Sequence, residues 1–195
     1  LSTDEMVEAS PSPAHPRPDA PDTPAPTRPR ILPRLAGRAP APPPAGTALH
    51  NVSAVTAVLL ALVAVGSVVH EPVLIPPLAA SAAIVHSAPR LPLAQPRSVI
   101  AGHLLCAGVG YAVLAALGSA AWAAALAAGI GLAVMTAART PHSPACATAV
   151  VIVLNQPRPA TFVPLLAGAV LVVVLAGWAA SCARPSAPRY PAYWW

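Results

Sequence analysis

Residues 144–155 read Pro144-Ala145-Cys146-Ala147-Thr148-Ala149-Val150-Val151-Ile152-Val153-Leu154-Asn155, an apolar run opened by proline and closed by asparagine. Proline is tolerated in the first helical turn, where its missing N–H would have had no partner anyway, so the run reads as a helix starting at Pro144. At 1.5 Å per residue it reaches about 18 Å, well short of the ~30 Å of hydrocarbon that a spanning helix must cover. Such a helix needs extended backbone to complete a span, or re-entry shielded by longer helices. A second stretch aligns with it without a gap: Pro77-Leu78-Ala79-Ala80-Ser81-Ala82-Ala83-Ile84-Val85. Proline, small residues, hydroxyl (Ser81 against Thr148) and β-branched tail all coincide.

Working outward, the element around Pro77 covers about Val73–His86. Four longer apolar elements flank the two short ones, at about Val52–Val69, Ser98–Leu117, Ala120–Ala138 and Thr161–Cys182. These four are long enough, or nearly so, to cross a bilayer. The chain is 56% hydrophobic and 9% charged, whereas a soluble domain carries roughly 25% charged residues. The pattern predicts an all-α, polytopic transmembrane bundle embedded in lipid. Val99–Gly102 also resembles Leu165–Gly168, and Gln95-Pro96-Arg97 recurs as Gln156-Pro157-Arg158. These matches point to a unit of three elements repeated once. Because three is odd, the second copy is inverted, and inverted repeats with interrupted helices are a transporter and channel design.

Residues 1–48 hold 13 of the 27 prolines and read as a disordered cytoplasmic tail, followed by a membrane domain over 49–183 and a short tail over 184–195. All eleven basic residues are arginine, which with the alanine and proline bias suggests a GC-rich coding origin and a bacterial plasma membrane. With six crossings and the N-terminus inside, ten arginines lie in the cytoplasm and only Arg158 outside. If the two short elements re-enter, the count is seven against four. The positive-inside rule favours six crossings, with both termini cytoplasmic. No basic stripe with interleaved aromatics marks a nucleic-acid partner. There is no HExxH, aspartate pair or cofactor lysine, so neither an enzyme nor a cofactor is expected. Cys106, Cys146 and Cys182 have no metal-site spacing and read as small buried thiols.

If Pro77 and Pro144 start half-helices, their free N–H groups and positive dipole ends can meet near the bilayer centre and hold a monovalent anion without a buried lysine. Ser81 and Thr148 are the candidate hydroxyl donors, with His142 and Ser143 at the rim. An ionisable residue at membrane depth is a functional candidate, which singles out His142 and also His103, placed beside Gly102. Arg97 and Arg158 are candidate mouth residues that draw anions. Glu71, the sole acid after position 22, is a candidate gating or proton-coupling group. His70 and His86 read as interfacial, as do Trp122, Trp178, Trp194 and Trp195. Few helices around two short elements imply a homo-oligomer. The competing reading is a membrane module that anchors or senses through its N-terminal tail and transports nothing.

Thr140-Pro141-His142-Ser143-Pro144-Ala145-Cys146-Ala147-Thr148 resembles the signature of the HPP family of small integral membrane proteins, named for a His-Pro-Pro box preceding Ala-Gly-Ala-Thr. The Pro77–Ala83 run is similar to the same family. So is Pro92-Leu93-Ala94-Gln95-Pro96-Arg97-Ser98-Val99-Ile100-Ala101-Gly102-His103-Leu104-Leu105, where glutamine, proline, arginine, glycine and histidine fall at the family's positions. The resemblance covers roughly residues 52–180. Ser143 replaces the middle proline of the box, and Cys146 replaces a glycine. The resemblance implies a helical membrane protein, often assigned four crossings, and makes nitrite the first anion to consider, because plastid and cyanobacterial relatives are linked to its transport.

Overall fold

The computed structural model describes residues 41–183 and 188–194. Most of the expected N-terminal tail, with Arg28, Arg30, Arg34 and Arg38, lies outside the described residues, as do Arg184 and Trp195. The chain divides into two units, 1–42 and 43–195, and the second carries everything described below. Its helices are α1 (Ala45–Val69), α2 (Pro76–Ser87), α3 (Pro96–Leu117), α4 (Ala121–Ala137), α5 (Pro144–Asn155) and α6 (Pro159–Cys182), with a 3-10 turn at Pro92–Ala94. There is no strand among the described residues.

Four of the helices, α2, α3, α5 and α6, open on proline. In the first helical turn the ring costs no intrahelical hydrogen bond. α1 starts at Ala45, inside the stretch assigned to the tail: the proline run ends at Pro44, and nothing after it breaks a helix. His70 and Gln156 end α1 and α5 in the left-handed conformation, which turns the chain sharply at each C-terminus. α1, α3 and α6 are long and apolar enough to cross a membrane. α4, with 17 residues, measures about 26 Å.

α3 packs against α4, α5 and α6, while α2 packs against α1, α5 and α6. One apolar cluster joins Leu62, Leu78, Val85, Val99, Ile152 and Val173; another joins Cys106, Ala127, Met135, Ala149 and Val153. α1 buries only Val58 and Leu62, leaving most of its apolar surface for lipid. Of the three thiols only Cys106 is buried; Cys146 is half-buried and Cys182 exposed, because the latter two lie on faces that no neighbouring helix fully covers. Trp122, Trp178 and Trp194 are all exposed.

Cross-connections fix which loops share an end. Arg97 donates to the carbonyl of Ala138 (3.2 Å) and His142 Nδ1 donates to that of Leu93 (2.7 Å). The α2–α3 and α4–α5 connections therefore lie together. At the other end Glu71 lines one cavity with Gln156, Pro157 and Arg158. The short helices α2 and α5 thus each run between opposite ends of the bundle. Non-helical residues 72–75 precede α2; four such residues add up to about 13 Å to about 18 Å of helix, enough for ~30 Å.

Candidate functional site

The two proline-led helices present their hydroxyls to one buried point. Ser81 and Thr148 each lie four residues after a first-turn proline, Pro77 in α2 (which opens on Pro76) and Pro144 in α5, and all four residues are buried. His103 of α3 stands between the hydroxyls. Its Nε2 lies 2.8 Å from Ser81 Oγ and its Nδ1 lies 2.8 Å from Thr148 Oγ1. Ser81 Oγ also meets His142 Nε2 at 2.8 Å and the Pro77 carbonyl at 2.9 Å. The two imidazole rings are 5.0 Å apart. Ser81, His103 and Thr148 are 0% exposed and His142 is 1% exposed. Four of the residues singled out in the sequence therefore form one continuous hydrogen-bonded network.

Local sequence explains the placement. His142 precedes α5 by two residues, so the α4–α5 turn brings it back over α3. There Gly102 makes room: a Cβ at Gly102 would lie 2.8 Å from the Cβ of His142 and 3.2 Å from Met135 Sδ. Gly102 therefore admits His142. Ser143 is exposed and its side chain makes no cap bond, so it stands outside the network. Thr140 Oγ1, two residues before His142, is buried with no partner among the described residues.

The three mouth candidates separate. Glu71 and Arg158 share a cavity of about 450 Å³ at the α1–α2 and α5–α6 end, walled by apolar residues including Leu78, Phe162 and Leu166. Arg97 lies at the opposite end, where its bond to Ala138 caps the last carbonyls of α4, a favourable place for a cation. Leu78 is three residues before Ser81, about one turn away, so the cavity approaches the network without opening onto it. No cluster of ligands fit for a metal ion occurs among the described residues.

Some well-tied residues carried no such signal in the sequence. Gln95 is 0% exposed; its Nε2 donates to the carbonyls of Pro89 (2.8 Å) and Leu91 (2.9 Å), and its Oε1 accepts from the backbone N–H of Ala192 (2.9 Å). It belongs to a block that resembles the family, and only its tertiary partners reveal it as a clamp. Tyr190 is buried over Gly177. His86 is buried as well, not interfacial: its Nδ1 donates to the Ala82 carbonyl (2.9 Å), and it lines a small cavity with Tyr190.

A family model of the HPP transmembrane region matches residues 40–191. The chain belongs to the HPP family. Two curated relatives of this HPP protein are transmembrane proteins of Dictyostelium discoideum. One is 37% identical over 132 residues, covering 63% of this chain and 46% of the relative. The other is 32% identical over 126 residues, covering 60% and 40%. The chain spans less than half the length of either relative. No solved structure matches this HPP protein.

Proposed function

We propose that this HPP protein carries small inorganic anions across the membrane, nitrite first, and holds the anion at the first turns of α2 and α5. One observation supports this above the others: two buried imidazoles converge at 2.8 Å on a single serine between two proline-led helix starts. Helix N-termini supply partial positive charge, and histidines and hydroxyls that are neutral at rest avoid the cost of a permanently buried cation. The 450 Å³ cavity with Arg158 is far larger than a triatomic anion and serves as its vestibule. Leu78, which lines the cavity one turn before Ser81, is the apolar barrier between vestibule and site. A homo-oligomer that covers the lipid-facing flanks of the short helices belongs to the same reading.

The experiment is nitrite uptake into proteoliposomes of purified protein, with nitrate, formate and chloride as competitors. Saturable uptake is expected, reduced at least about tenfold in His142→Ala and in Thr148→Val, since one lost charge-assisted hydrogen bond is worth ~1.5–3 kcal/mol. Folded protein that moves no anion above empty vesicles would favour the second reading, an anchoring or sensing module. The mutual satisfaction of the four buried side chains is what a purely structural network also looks like.

A further inference from the structure

The network has a proton count. Five short contacts join its members: Thr148 Oγ1 to His103 Nδ1, His103 Nε2 to Ser81 Oγ, Ser81 Oγ to His142 Nε2, Ser81 Oγ to the Pro77 carbonyl, and His142 Nδ1 to the Leu93 carbonyl. Each needs one hydrogen. With both histidines neutral only four are available, one each on Thr148, His103, Ser81 and His142. The Leu93 carbonyl can only accept, so neutral His142 keeps its proton on Nδ1 and offers a bare Nε2. Ser81 must donate to that nitrogen, and its contact to Pro77 is then unmade. Adding one proton to His142 Nε2 fills the fifth contact. Ser81 turns its O–H to Pro77 and accepts from both imidazoles, its oxygen now making three bonds. The only movement is a hydroxyl rotation.

That proton brings a positive charge into a buried site with no carboxylate. Glu71 is the sole acid among the described residues, and it lies on the vestibule at the far end. From the surrounding elements, α3 and α5 contribute Cys106 and Cys146, whose thiols face each other. Arg97 of α3 is committed to Ala138, Arg139 after α4 is exposed, and His86 of α2 is bound to Ala82. An unpaired buried charge of either sign is costly. A proton without an anion, or an anion without a proton, is therefore disfavoured, while the pair together is neutral.

We infer that the Ser81–His103–His142–Thr148 network takes up one proton with each anion, making transport an electroneutral proton–anion cotransport. This rests on the anion-carrier reading above and adds the coupling ion to it. The proton moves from water to His142 Nε2 as the anion enters and returns to water on the far side as the anion leaves, so charge and atoms balance.

The test uses wild-type protein in proteoliposomes with an internal pH dye and a potassium–valinomycin voltage clamp, nitrite being the probe. Nitrite entry should acidify the lumen one proton per anion, ignore the imposed voltage, and reach about tenfold accumulation per unit of inside-alkaline pH gradient. His142→Gln, which keeps a donor but holds no added proton, should lose the gradient-driven accumulation. In nanodiscs, 15N-histidine NMR should show nitrite converting one ring to imidazolium, a signal absent from His142→Gln. Voltage-driven nitrite flux without acidification overturns the coupling and leaves the anion-carrier reading intact. Absence of flux for every anion removes both.

Discussion

His142 owes its position to a side chain that its neighbour lacks. The missing Cβ of Gly102 is what lets the imidazole reach Ser81, since a methyl there would stand 2.8 Å from the His142 Cβ. Gly102→Ala should therefore force His142 away from Ser81 and lower stability by about 1–3 kcal/mol, the usual cost of overpacking. A methyl added at Gly108, on the same helix, would meet nothing within 4 Å, so Gly108→Ala should change stability by less than about 0.5 kcal/mol. Thermal melts of the two variants in one detergent check the contrast, and equal melting temperatures would show that Gly102 is not a packing site. The sequence marks both glycines alike as small residues in an apolar helix. Which glycine faces a neighbour depends on helix rotation, and these helices are too uniformly apolar to reveal it. Elsewhere Gly110 and Gly131 meet α5 and Cys106, whereas Gly108, Gly129 and Gly168 face open space.

Short helices that join opposite ends of a bundle make a different membrane topology from short helices that dip in and return. The shared end of the α2–α3 and α4–α5 connections supports the former. Exposed positions near the two ends of each short helix give the test: Glu71 precedes α2 and Ser87 ends it, and Ser143 and Gln156 flank α5. In a cysteine-free background, Glu71→Cys and Ser87→Cys should react with a membrane-impermeant maleimide from opposite faces, and so should Ser143→Cys and Gln156→Cys. Same-side labelling of either pair would mean re-entry. The starts of these elements were legible because proline punctuates them, and their lengths followed from the apolar runs. Their traverse was not legible from the runs, because about 18 Å of helix leaves the path of the flanking backbone open. Arg90, Arg97 and Arg139 all lie at the connections of one end, the grouping on which the charge count for six crossings rests. The meeting of Ser81 with His103 and His142 was legible only as four separate candidates, Thr148 being the fourth. Which of them touch is decided by His103 of α3, whose ring reaches a hydroxyl on each short helix.

The described C-terminal segment returns to the bundle, although nothing in its composition announces it: its anchor, Gln95, is 97 residues away from Ala192. Ser181 Oγ adds a bond to the Tyr190 carbonyl (3.0 Å), and Tyr190 closes over Gly177 and Val85. Gln95→Leu leaves the carbonyl of Pro89 and the N–H of Ala192 without this partner, while the Leu91 carbonyl keeps the N–H of Ala94; the loss of about 1–3 kcal/mol falls on the docked segment more than on the helices. Trypsin cleavage after Arg189, exposed but followed by buried Tyr190, should accordingly be slow in the wild type and fast in Gln95→Leu, read by intact mass. Docking also carries a pH signature. Burial pushes the Tyr190 phenol above its ordinary value of 10.0, so the docked state binds the proton more tightly than the released one. Release therefore loses a proton and is favoured once pH passes about 10, where the released phenol ionises while the docked one does not. Hydrogen–deuterium exchange of residues 188–194, corrected for its intrinsic pH dependence, should show unchanged protection between pH 7 and 9 and a loss above 10. In Tyr190→Phe that alkaline loss should disappear, because no proton is left to release. If the loss persisted there, some other group would be opening the segment.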